Sequence, residues 1–345
     1  MAKPWRRALL ALAAVGLLLA VRLYTSKQDN AGRLIHVQRS LMGTVWNIDV
    51  MEEGRPEAAR QAVEAAYHEL ERIDRLMSEW KPDSPVSAIN QAAGGAGVEA
   101  PGELCAILRR GIDYGEKSAG AFDITWRGMG RLWRYDEDFV PPSDQAIAKA
   151  RANVNYRDLE LTGNRVRLRR AGMSIGLGGI AKGYAVDRAL GILNRAGFAN
   201  ALVDGGGDIR VSGTKNGNPW QLGIQDPRAG RGTLLGRVAM TGGALVTSGD
   251  YERFRVVDGV RYHHIIDART GRPARGASSV SVIAPSAEQA DALATAIFVL
   301  GREKGLALAE AEGVDVMLID EQGNTHRTDG FARRFEAAPG KEGSQ

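Results

Sequence analysis

After Asp158 the chain breaks into short runs in which apolar and polar residues alternate or cluster, such as "DLELTGNRVRLRRAG", "WQLGIQ", "LLGRVAM", "YERFRVVDGVRYHHII" and "SSVSVIA". A period of two places one set of side chains in a core and the other in water, which is the signature of antiparallel hairpins. The 43 glycines supply the tight turns between them. Upstream the period changes. Val63, Tyr67, Leu70, Ile73 and Met77 recur at helical spacing behind Pro56, which predicts a helix over about 56–79, closed by Pro82 and Pro85. A second helix is expected near 102–117, burying Leu104, Leu108 and Ile112, and one strand across Val37–Met51. Further helices fit 180–196, 287–300 and 302–312, followed by the strand "VDVMLID". Helices and hairpins stand in separate blocks, so the fold class is α+β and not a doubly wound sheet.

The first 24 residues read as a signal peptide or membrane anchor. Lys3, Arg6 and Arg7 precede an uncharged apolar run from Ala8 to Val21, short for a span of ~20 residues and right for a signal core. Without a nearby cysteine it is not a lipoprotein signal. A polar linker follows at 25–33, and the stretch 336–345 reads as a disordered tail. The body is therefore expected on the periplasmic side of a bacterial inner membrane, anchored or secreted. Five of the 45 basic residues and one of the 41 acidic residues lie before position 33, which leaves the body neutral and removes any charge argument for nucleic acid. Cys105, the single cysteine, reads as a core residue and excludes a disulfide within the chain.

Three stretches carry chemistry. "SIGLGGIAKGYAVDRAL", Ser174–Leu190, fits a G-x-G-x-x-A dinucleotide fingerprint through Gly176, Gly178 and Ala181. The preceding strand, however, alternates charged and apolar residues and no βαβ unit surrounds it, so a Rossmann site is rejected. A phosphate-binding Walker loop fails too, because Lys182 is followed by Gly183. What remains is a glycine turn entering a helix N-terminus beside Lys182, suited to an anion or to a carbonyl turned toward a cation. In "SAEQADALATAIFVLG", Ser286 and Gln289 form a capping box, and Asp291 and Thr295 share one helix face. A carboxylate and a hydroxyl suit a hard cation such as Mg²⁺. In "YHHIIDARTGRPA", alternation sends His263 and His264 to opposite faces, so only one enters a given cleft.

Together with "MSEWKPDSPVSAIN", "GAFDIT", "DGGGDI" and "TSGDYERF", these segments resemble the ApbE family of FAD:protein FMN transferases, from "SLMGT" at Ser40 to "GFARRF" at Phe335. The resemblance implies one transferase domain over 34–335, with antiparallel sheets, helices packed on them and a nucleotide cleft between two lobes. It also implies transfer of the FMN half of FAD to a Ser or Thr hydroxyl of a protein, with AMP released. Mg²⁺ would be held by the Gly179 carbonyl, Asp291 and Thr295. Met42, Trp80, Ala121, Phe122, Asp123, Gly176, Lys182 and Ile265 would line the FAD site, and His264 would be the general base, as a near-neutral pKa allows. The acceptor would carry a D-[ST]-x-[AS]-T-like motif on a respiratory electron-transfer subunit. An FAD pyrophosphatase releasing FMN and AMP, and a non-catalytic FAD carrier, are the rival readings. Three positions depart from the family pattern: Gly176 where Asp is usual, Ala268 where Pro is usual, and Trp80 where Tyr is frequent.

Overall fold

The computed structural model describes residues 32–130 and 132–340. The expected signal or anchor, most of the linker and the last five residues of the tail lie outside the described residues. Eight strands build one sheet whose spatial order is also their chain order: β1 (Arg33–Leu41), β2 (Thr44–Glu52), β3 (Ala201–Gly205), β4 (Asp208–Ser212), β5 (Gly242–Gly249), β6 (Ser279–Ala284), β7 (Asp315–Ile319) and β8 (Thr325–Arg327). Every neighbouring pair is antiparallel. The α+β expectation therefore holds, and the helices enter as insertions between neighbouring strands.

Alternation along each strand explains the layers. Trp46, Ile48, Val50, Val246, Val280, Val282, Val316 and Leu318 face a core shared with three helices: α1 (Pro56–Met77), α3 (Ala181–Arg195) and α4 (Ala287–Glu312). Met51, Val211, Leu245, Ile283, Met317 and Ile319 face the other way, under a small sheet of Trp220–Gln225, Leu234–Met240 and Phe335–Ala337. Covered on both sides, β6 is buried along its whole length. A second lobe consists of α2 (Gly102–Lys117) and the hairpin Leu159–Thr162/Arg165–Leu168. Its Leu104, Cys105, Leu108, Val166 and Leu168 join the first core, so the lobes are fused rather than hinged on a linker.

Some expectations need correction. The single strand over Val37–Met51 is a hairpin, turned at Met42 and Gly43 with φ of 51° and 72°. Such two-residue turns usually announce themselves by Asn-Gly or Asp-Gly, and Met-Gly does not. The tail does not begin at 336, because Phe335–Ala337 pairs with the strand Leu234–Met240. Two short helices, Pro85–Gln91 and Asp144–Arg151, had no strong period to reveal them, although Ser84 and Ser143 cap them. The helices expected at 287–300 and 302–312 are α4, interrupted at Gly301 with φ 71° and ψ −170°. Among the described residues no helix is long and apolar enough to cross a membrane.

One crossing places the site. A Cβ on Gly183 would stand 2.2 Å from the carbonyl oxygen of Ala287, so only glycine lets α3 approach the start of α4. The side chain of Asp187 reinforces the contact by accepting from the N–H groups of Ala287 (2.8 Å) and Glu288 (3.0 Å). Gly183→Ala is expected to force the helices apart and cost about 1–3 kcal/mol of stability, the usual scale of overpacking. Urea unfolding checks this; an unchanged midpoint would show that the crossing adapts.

Candidate active site

The turn that enters α3 is tied down from within. Leu177 accepts from the N–H groups of Ile180 (3.1 Å) and Ala181 (2.9 Å), and the Gly183 N–H donates to Asp291 Oδ2 at 3.1 Å. The helix start is thus neutralised largely by the protein itself, with less left for an anion than the glycine pattern predicts. Gly178 borders open space: a Cβ there would meet nothing within 4 Å. Gly179 does not. Its Cβ position lies 3.2 Å from Thr295 Oγ1 and 3.1 Å from the ring of Phe122. The fold therefore gathers Gly179, Asp291, Thr295 and Phe122, which come from three separate parts of the sequence.

Asp291 is buried, and its carboxyl is held well above the usual carboxylate range by loss of solvation and then by the neighbouring Asp208, with Lys182 opposing. Lys182 Nζ donates to Asp208 Oδ2 at 2.6 Å. Burial works against the ammonium, but Asp208 and Asp291 outweigh it and hold its pKa above the ordinary value. Asp208 is the site residue that sequence reasoning missed, although "DGGGDI" contains it. Asp204, four positions earlier, serves the turn instead. It accepts from the Gly207 N–H at 2.8 Å and from Asn47 Nδ2 at 3.1 Å.

The two histidines divide as alternation requires. His263 is structural, with Nε2 2.9 Å from the Ala274 carbonyl and its ring edge-on to Phe298. The His264 N–H donates to the Arg253 carbonyl (3.1 Å), and its Nδ1 is buried without a partner among the described residues. Its pKa is pulled down to about 4, first by burial and then by the positive fields of His263, Arg253 and Lys182. At neutral pH it is an uncharged ring with a free nitrogen. Arg253 also reaches toward the Met42–Gly43 turn, 4.0 Å from the Cβ position of Gly43, which brings the half-buried Met42 to the same region.

Other expected residues fall differently. Ala121 and Phe122 are buried, Phe122 against Tyr114. The Asp123 carboxylate braces its own turn and a distant segment, accepting from Thr125 N (2.7 Å), Thr125 Oγ1 (2.6 Å) and Tyr156 N (3.0 Å). Ile265 is tied into the core beside the histidines. Its side chain sits in the core, its N–H meets His263 Nδ1 at 3.3 Å and its carbonyl accepts from Ala274. Its backbone polar groups are thus both paired, next to His264 in the chain. Trp80 is 74% exposed, with the Arg127 guanidinium 4.2 Å from its ring centre. Gly176 is covered: a Cβ would stand 2.9 Å from Trp126 Nε1, 3.0 Å from Glu79 Oε2 and 3.1 Å from Arg127 Cβ. Ala268 keeps the turn that Pro is usual in, through bonds from Thr270 N and Gly271 N to the Asp267 carbonyl.

The chain matches the sequence model of the ApbE family over residues 42–318. It is 37% identical over 299 residues to the FAD:protein FMN transferase of Treponema pallidum, covering 81% of this chain and 82% of that relative. Among solved structures, the ApbE protein of Thermotoga maritima aligns with a TM-score of 0.81 at 35% identity, over 88% of this chain and all of that one. The flavin transferase ApbE of Vibrio cholerae gives 0.80 at 29% identity, over 88% and 99%.

Proposed function

Because this chain belongs to the ApbE family and is an FAD:protein FMN transferase, we propose that it moves FMN onto a Ser or Thr hydroxyl of an exported acceptor in an Mg²⁺-dependent reaction that releases AMP. The observation that carries the reading is the free, buried and uncharged Nδ1 of His264, in the field of the same lysine that pairs with Asp208.

The residues fit a hard cation. A carbonyl, a hydroxyl and a carboxyl are all oxygen donors, and Asp208 and Asp291 stand in the field of one lysine, where a bound cation would favour the ionised form of both. Among the described residues no three acids, histidines or cysteines cluster, so the Gly179 carbonyl and Thr295 would complete the set around Asp291. When bound, the ion supplies charge stabilisation at the phosphate oxygens. Lys182 places a fixed positive charge beside them. His264 takes the acceptor's hydroxyl proton at Nδ1 as the oxygen attacks the FMN phosphorus. The new P–O bond replaces the pyrophosphate P–O bond, and AMP leaves with the electron pair. The exposed face of Trp80 is free to stack on a flat ring.

The acceptor is proposed to be a respiratory electron-transfer subunit bearing the D-[ST]-x-[AS]-T-like motif. Incubation with FAD, Mg²⁺ and such a subunit should add the mass of FMN less one water to it and release AMP in equal amount. Free FMN beside an unmodified acceptor would identify a pyrophosphatase instead, and tight FAD with no AMP a carrier.

A further inference from the structure

Glu79 follows the C-terminus of α1 and is unlike the other acids near the site. Its side chain is 8% exposed, yet nothing in the proposed reaction uses it. Oε2 accepts from the Leu177 N–H at 2.9 Å, and Oε1 meets Arg127 Nη1 at 3.3 Å. Its backbone carbonyl accepts from Arg127 Nη2 at 3.0 Å. Burial raises its pKa, and Arg127 and the Leu177 N–H work against that rise. One buried carboxylate therefore ties together three segments distant in sequence.

Both tied segments matter. Leu177 is the residue whose carbonyl closes the turn around Gly179. Arg127 is the residue whose guanidinium sits over the ring of Trp80. The same carboxylate also explains the glycine at 176. Glu79 Oε2 stands 3.0 Å from the place where a Cβ on residue 176 would be, so a side chain there and Glu79 compete for one volume. An aspartate at 176 would bring a second carboxylate within reach of the volume that Glu79 Oε2 now fills. Glu79 and Gly176 are one unit: the carboxylate arrives from α1, and the turn makes room for it.

We propose that Glu79 is a positioning residue for the transfer reaction, holding the Gly179 turn and, through Arg127, the ring of Trp80, so that the metal end and the ring-stacking end of the site are set by one side chain. This rests on the FMN-transfer reading, and the experiment separates the two. Five proteins are compared at saturating Mg²⁺: wild type, Glu79→Gln, Glu79→Ala, Gly176→Asp, and Glu79→Ala with Gly176→Asp. FAD affinity is read from flavin fluorescence, transfer from AMP release, and folding from thermal melting.

Glu79→Gln keeps the shape but not the charge and is expected to lower kcat/KM about tenfold to a hundredfold, the range seen when a partner that orients a metal site is lost. Gly176→Asp alone sets two carboxylates against each other and is expected to lose at least as much. The double variant restores one carboxylate to the shared volume, after Trp126 and Arg127 yield slightly, and is expected to exceed both Gly176→Asp and Glu79→Ala in FAD affinity and kcat/KM. A purely structural role would move melting alone and show no such rescue. Wild-type behaviour in Glu79→Gln, or a double variant no better than Glu79→Ala, would overturn the proposal. Failure of the wild-type protein to transfer would remove the function reading, while the FAD affinities still report on Glu79.

Discussion

Asp291→Asn is expected to reduce FMN transfer by about three orders of magnitude or more, comparable to removing an electrostatic group that acts on developing charge. Asparagine keeps the size of the side chain and an oxygen to accept the Gly183 N–H, so the α3–α4 crossing survives. What disappears is the carboxyl whose ionisation burial and Asp208 oppose and a bound cation would favour. The metal-free variant should therefore melt no lower than wild type, because a buried acid set against Asp208 has been replaced by a neutral amide. Activity and stability are expected to part company, as they do where a residue is retained for function at a cost to folding. Measured without and with Mg²⁺, the melting temperature of wild type should rise with the ion and that of the variant should not. A large fall in the metal-free melting temperature of Asp291→Asn would instead make Asp291 a structural residue.

His264→Ala is expected to lower kcat about a hundredfold to ten-thousandfold while leaving FAD affinity near wild type, since loss of a general base removes only proton transfer. The pH dependence follows from its surroundings. Burial, His263, Arg253 and Lys182 all disfavour the charged ring, so its folded pKa lies near 4, below the ordinary 6.5. A group lowered in this way stays neutral, and able to take a proton, at every pH above that value. The kcat/KM of wild type should be level from about pH 6 to 8 and fall only on approach to pH 4, with no step near 6.5. That acid limb should vanish in His264→Ala. Retention of full kcat by the variant would remove the base assignment.

Much of this arrangement was legible in the sequence because it depends on periods and caps. The α+β class followed from alternation after Asp158, and the start of α4 from Ser286, whose Oγ accepts from Gln289 N at 3.3 Å. The Asp291–Thr295 face followed from helical geometry. Alternation also separated His263 from His264, though not which of them is bound to a carbonyl. What stayed hidden rests on contacts between distant residues. Nothing local to "DGGGDI" says that Asp208 reaches Lys182 while Asp204 closes a turn. Nothing local to Asp123 or Ile265 says that their polar groups are consumed nearby. Glu79 and Gly176 were 97 positions apart in a string of letters, and only the fold shows them occupying one volume.

The break at Gly301 has a consequence for how such a chain can vary. Both α4 oxygens, Asp291 and Thr295, precede it, as does the contact of Phe298 with His263. The segment 302–312 leads on to β7 and carries no expected ligand. Because Gly301 leaves the helical region at φ 71° and ψ −170°, a change in pitch or length beyond it does not propagate back along a continuous hydrogen-bonded rod. Residues added or removed after position 301 are absorbed at the break. The same insertion placed between Asp291 and Thr295 would rotate one oxygen away from the other.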